Sequence, residues 1–220
     1  MHNITNIQYS SAVSDIKKIF CILRKEAVNI SEGVIGGSLC KDDFYFLASI
    51  DRCIRLIDGM TEMLEKRNLT CAGALLRMQM DNCMRTYAAY IAEDKNAVLD
   101  SVISGDPINK LKDKDGKPLT DSNLKNKLNN IDKRFGSVYS QSSGYIHLSD
   151  KAFYQTVDTC ENYKIGFQIG LELPEKRNEN LLECAEAFVY YCKLHFRLLK
   201  PVVESKKRLD EELDNNEQHI

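Results

Sequence analysis

At 220 residues, with 43% hydrophobic and 28% charged side chains, the chain has the composition of an ordinary globular protein able to bury a substantial core. Thirty Lys and Arg against 32 Asp and Glu leave a formal net charge of −2, which excludes a general attraction of the whole surface to nucleic acid and leaves room only for a local basic patch. The first residues lack the basic start and apolar run of a secretory leader. The longest apolar stretches, such as 44–50, fall far short of a bilayer span, so the expectation is a cytoplasmic protein without membrane contact.

In chain order, Val13, Ile16, Phe20, Leu23 and Ala27 step by three and four, which predicts an amphipathic helix over about 11–29. The glycine-rich stretch 33–37 reads as a plain loop, because the residues after it lack the Gly-Lys-Ser/Thr order that cradles phosphate. Asp42 or Asp43 is placed to cap a second helix, lined by Leu47, Ile50, Ile54, Ile57 and Leu64 and running to about Lys66. Arg67 and Asn68 make a turn into a third helix, 69–93, with Leu69, Ala72, Leu76, Met80, Cys83, Tyr87 and Tyr90 as its apolar stripe. The short link makes these two an antiparallel pair. Beside that stripe Arg77, Asp81 and Arg85 lie four apart. They are either a solvated ion-pair row or an anion-binding arginine held by its carboxylate.

A short helix over 95–103 follows, and the polar stretch 109–120 reads as an exposed loop or hairpin tip. Asp113-Lys114-Asp115-Gly116 has the wrong ligand order for a calcium loop. Thr120 or Asp121 caps a helix to about Arg134, and another helix is expected over 135–147. Alternation of Ile165, Phe167, Ile169 and Leu171 with smaller or polar residues predicts a strand, one arm of a small hairpin near 163–173. The last helix, from about 178 or 180, buries Leu181, Ala185, Phe188, Cys192, His195, Leu199 and Val202. His195 reads as a core residue, and Pro201 should kink or interrupt the helix. From 204 the chain is polar and reads as a solvated helical extension ending in a tail. The fold class is therefore all-α: a bundle of about six helices in one domain over 1–203, with an appended segment at 204–220.

Eight cysteines at 21, 40, 53, 71, 83, 160, 184 and 192 form no Cys-x-x-Cys pair, so neither a zinc site nor thioredoxin-type chemistry is expected. Cys53, Cys83 and Cys192 fall on apolar stripes, as small buried hydrophobes do. No metal and no cofactor is anticipated.

Chemistry can be argued in one place, 138–149, reading VYSQSSGYIHLS. On a helix, Ser140, Ser143 and His147 form one strip beside the face carrying Phe135, Val138, Tyr139, Ser142 and Ile146. Histidine is the side chain whose charge changes near neutral pH, which makes His147 the natural proton-transfer candidate. A serine nucleophile would also need an oxyanion site and an orienting acid, and neither is visible.

The helix pair carrying LLRMQMDNCMR, followed by Y-S-x-S-S-G-Y-I-H-L-S, resembles bacterial HEPN-like proteins over roughly 47–150 and the final helix. That resemblance implies a dimeric helical bundle in an antiviral-defence or toxin–antitoxin context. Its implied partners are RNA or a protein encoded nearby, and its implied activity is metal-independent RNA cleavage. In the family an arginine precedes the histidine by four to six intervening residues and holds the phosphate while the histidine moves a proton. Here positions 140–142 are Ser, Gln and Ser, so the implied clamp falls to Arg77, with Arg85 or Arg134 as other candidates. The resemblance then casts His147 as acid/base, with Tyr139, Ser140, Ser143, Arg85 and Arg134 as binding residues. The alternative is a non-catalytic dimeric scaffold in which the His147 cluster is structural.

Overall fold

The computed structural model describes residues 4–147, 149, 153, 157–159, 165–167, 169–170 and 173–217. Among them are seven α-helices: α1 (Asn6–Ile35), α2 (Asp43–Glu65), α3 (Leu69–Ile91), α4 (Lys95–Ser104), α5 (Asp121–Ile131), α6 (Phe135–Ser143) and α7 (Asn178–Glu217). The chain is an all-α helical bundle with one strand pair, β1 (Val157–Thr159) and β2 (Ile165–Phe167), antiparallel with Asp158 opposite Gly166. The expected strand is thus three residues long at 165–167. Its partner lies upstream, and Gly170 leaves the strand direction with φ 71°. Tyr163, Gln168, Leu171 and Glu172, and likewise Cys160, lie outside the described residues.

Four long helices enclose the core. Tyr9 donates to Leu64 O and Arg24 pairs with Asp58, so α1 and α2 run antiparallel. Tyr45 donates to Arg85 O and Asn82 to Ser49 O, which makes α2 and α3 antiparallel as the short turn requires. α7 runs parallel to both outer neighbours. Gln79, Thr86 and Tyr90 of α3 meet Tyr191, His195 and Leu198 in ascending order. Gly33 of α1 takes Val203 against its bare Cα while the start of α1 meets Asn178. The long connection 92–177 carries the chain back to where α7 begins. α5 and α6, within it, cover the outer face of α3.

Local chemistry sets the ends. Thr5 and Gln8 form a reciprocal capping box on α1, which starts five residues earlier than the apolar period alone suggests and runs on to Ile35. Gly36, at φ 53°, then turns the chain in the left-handed region that disfavours a side chain. Asp42 occupies the cap position of α2 but makes no cap bond. Asp43 turns inward instead. Asn68 caps α3 by accepting from Cys71 N–H at 3.0 Å. At the same end, Asn178 accepts from Arg67 at 2.7 Å and donates to Ile4 O at 3.0 Å, so one buried amide ties three elements together.

The predicted stripes form the core, with Leu47, Ile54, Tyr87, Tyr90 and Val202 partly buried against it. Val13, Ile16, Phe20, Leu23 and Ala27 are buried, as are Leu181, Ala185, Phe188, Cys192, His195 and Leu199. Cys53, Cys83 and Cys192 are buried free thiols. Pro201 does not interrupt α7. A proline there leaves the preceding turn short of an amide donor, and the Tyr90 hydroxyl reaches across to the neighbouring Leu198 carbonyl at 2.5 Å. No helix among the described residues is long and apolar enough to cross a membrane.

Candidate functional site

α6 is shorter than the sequence predicts. From Gly144 the backbone tightens to three-residue bonds, Tyr145 N–H to Ser142 O and Ile146 N–H to Ser143 O, both 3.1 Å. α6 therefore ends at Ser143. Ile146, expected on the packed face, is instead 51% exposed. His147 sits at the end of this turn with its ring exposed. Its amide reaches Ser143 O at 3.4 Å and its carbonyl accepts from Ser149 at 2.7 Å.

Phe135 and Ser142 anchor α6 to the bundle. Close approach at the next turn depends on Gly73 of α3, where a Cβ would overlap the Tyr145 ring. The helix interface then brings Arg77 onto Tyr139, with the guanidinium carbon 3.5 Å from the ring centroid. Arg77 also donates to the Tyr139 hydroxyl, and its Nε reaches Ser143 Oγ at 3.4 Å. Burial holds the Tyr139 phenol above its ordinary range, with the adjacent Arg77 charge pulling the other way. Ser143 and Ser140 donate to the backbone one turn back, to Tyr139 O at 2.8 Å and Gly136 O at 2.9 Å.

The charged ladder on α3 is rearranged relative to its spacing. Asp81 pairs with Arg85 at 3.2 Å and with Arg52 of α2 at 3.3 Å, and Arg77 turns away to α6. Arg85 also meets Asp121 at the start of α5 at 2.6 Å. Desolvation disfavours its charge, but the two carboxylates outweigh that and raise its pKa. Arg134 sits 3.6 Å from Asp132 and 4.5 Å from the Tyr190 ring centroid. Each of the three arginines fastens one element to another. Among the described residues no hydrogen bond or ion pair joins the His147 ring to an arginine. The structure brings Arg77, Tyr139 and Ser143 together, sets Arg85 in the adjoining pair network, and leaves Ser140, Arg134 and His147 outside it.

The other described histidine, His195, is fully buried. Ser49 spends its only proton on Phe46 O at 2.8 Å, so it accepts from His195 Nε2 at 3.2 Å. That places the ring proton on Nε2, with Thr86 at 3.1 Å, and leaves Nδ1 an acceptor without a partner. Sealed from solvent, this group is part of the core.

The sequence reading missed two polar sites. Asp113 is fully buried in its loop. It accepts from the amides of Asp115 and Lys117 and from Asn123, each at 2.9 Å, and pairs with Lys127 at 3.1 Å. Burial pushes its carboxyl up, but these donors together hold it well below the carboxylate range. Lys206 and Asp43 form a buried ion pair, with side chains 4% and 5% exposed. Its signal was Lys206 itself, which continues the α7 stripe four residues after Val202. Among the described residues no three metal-ligating side chains converge.

Comparison of the chain with known proteins finds no matching family model, no similar curated protein and no similar solved structure.

Proposed function

We propose that this chain is a HEPN-like helical protein that acts by association rather than by cleavage: a dimeric scaffold of a bacterial defence or toxin–antitoxin system. The arginine network supports this reading. The side chains that would hold a scissile phosphate are engaged in fastening α5 and α6 to α3, and among the described residues no hydrogen bond joins the exposed His147 to them. A second observation favours association. Ile146, Phe153, Phe167 and Ile169, in the segment 146–169, are 51%, 56%, 63% and 77% exposed, and a partner that covered them would remove that apolar surface from water. Light scattering should give a dimer for the full chain and a monomer for Ile146→Asp with Phe167→Asp. A monomeric wild type at micromolar concentration would refute the scaffold reading.

RNA binding with metal-independent cleavage is the second reading, supported by Arg77, which contacts a ring and two hydroxyls and, among the described residues, pairs with no carboxylate. In that case Arg77 leaves Tyr139 to meet a phosphate and His147 moves the proton. Cleavage of labelled single-stranded RNA in the presence of a chelator would have to be present in wild type and lost in His147→Ala.

A further inference from the structure

The end of the bundle away from His147 carries a cleft. Along α3 the step from Arg77 to Tyr90 is about 20 Å at the rise of an α-helix, so the two regions are separate. The cleft has a volume of about 410 Å³, within the range of small-molecule sites, and lies where α2, α4 and the end of α3 meet α7 around Pro201. Phe46, Tyr90, Val98 and Pro201 give it apolar walls. Its deepest polar feature is the Lys206–Asp43 pair, and Lys95 and Arg208 stand exposed at its rim.

We propose that this cleft binds a small amphipathic anion: a flat apolar body carrying a carboxylate, sulfonate or phosphate. Three observations carry the assignment. A buried ion pair contributes little net stability over well-packed apolar residues of the same size, so its position in a cleft wall calls for another reason. An ammonium has three donors. In Lys206 one goes to Asp43 and one to the Cys40 thiol at 3.7 Å, which leaves one for a ligand acceptor. Three cations, Lys95, Lys206 and Arg208, face two carboxylates, Asp42 and Asp43, so the lining favours negative charge in a chain whose net charge is −2. The aromatic rings and the proline offer flat surfaces on either side of that point.

The test uses the full chain and two fluorescent probes of one shape: 1-anilinonaphthalene-8-sulfonate, an anion, and neutral N-phenyl-1-naphthylamine. Wild type should bind the anion saturably at one site, and tighter than the neutral probe. In the Asp43→Leu/Lys206→Met variant, affinity for the anion should fall by about tenfold or more while the neutral probe changes by less than about threefold. Circular dichroism checks that this variant folds. If it does not, the exposed pair Lys95→Gln/Arg208→Gln decides, with an expected loss of about threefold for the anion alone. No saturable binding, equal binding to wild type and both variants, or a parallel loss of both probes would overturn the proposal.

Discussion

The two ends of α3 handle charge in opposite ways. Toward Arg77 the cations lie at the surface, half-exposed, stacked on a ring or shared between two carboxylates, Asp81 of α3 and Asp121 of α5. Toward Tyr90 a single ion pair is almost fully enclosed, one partner from the start of α2 and the other from deep in α7. Partners at the first end can exchange water for each other at little cost, so the network positions α5 and α6 without carrying much of the stability. At the second end neither charge can be abandoned singly. The pair fixes where the far half of α7 sits against α2.

The sharpest way to break that contrast is Lys206→Met alone. It strands the Asp43 carboxylate and should cost about 3–5 kcal/mol in urea unfolding, whereas adding Asp43→Leu should restore most of the loss. Lys206 has its pKa raised: burial opposes the charge, and Asp43 with Cys40 overcomes it. The stabilisation from a raised lysine is fully present below its unfolded value of about 10.4 and is lost only as pH climbs beyond that, so the deficit of the single variant should persist across neutral pH.

Asp113 should be the next largest. Its folded pKa is depressed, so its contribution is complete above about pH 4 and drains away as pH falls further. In Asp113→Asn the decline in unfolding free energy below about pH 4 should flatten, and an unchanged acid limb would contradict the role of those four donors.

Gly73→Ala sharpens the comparison at the Arg77 end. A methyl there meets the Tyr145 ring, and either the ring or the turn after α6 must move. The cost should be about 1–3 kcal/mol, as for other overpacked contacts, and amide exchange should quicken in the turn that follows α6 while α1 and α7 stay protected.

How much of this was legible beforehand follows from where the information lies. A helix that buries one face repeats its apolar residues at 3.6, so the stripes of α1, α3 and α7 stand in the sequence and proved to be the core. The parallel pairing of α3 with α7 is not written locally, because the long connection between them sets it. Spacing placed Arg77 and Asp81 within reach, yet spacing cannot rank partners, and the Tyr139 ring arrives from 62 residues away. The helix expected through His147 ended at Ser143, and from Gly144, at φ −64° and ψ −17°, the bonds shorten to three residues. That one turn decides whether Ile146 packs or faces solvent. Lys206 could have been found: a lysine at a core position of an apolar stripe is either misplaced or paired.

The smallest expected effects separate scaffold from nuclease. Arg77→Ala removes a half-buried stacking contact and two hydrogen bonds and should cost about 1 kcal/mol, loosening α6 on α3. His147→Ala removes an exposed side chain and should change stability by less than about 0.5 kcal/mol. On a scaffold the pair behaves as those numbers say, and neither variant touches RNA turnover. A nuclease inverts the ranking, because the residue that is silent for folding becomes the one on which cleavage depends. Measuring unfolding and RNA cleavage on the same two variants therefore sets the two readings against each other within one experiment, and a His147→Ala protein that is fully stable but has lost a wild-type cleavage activity would decide for catalysis.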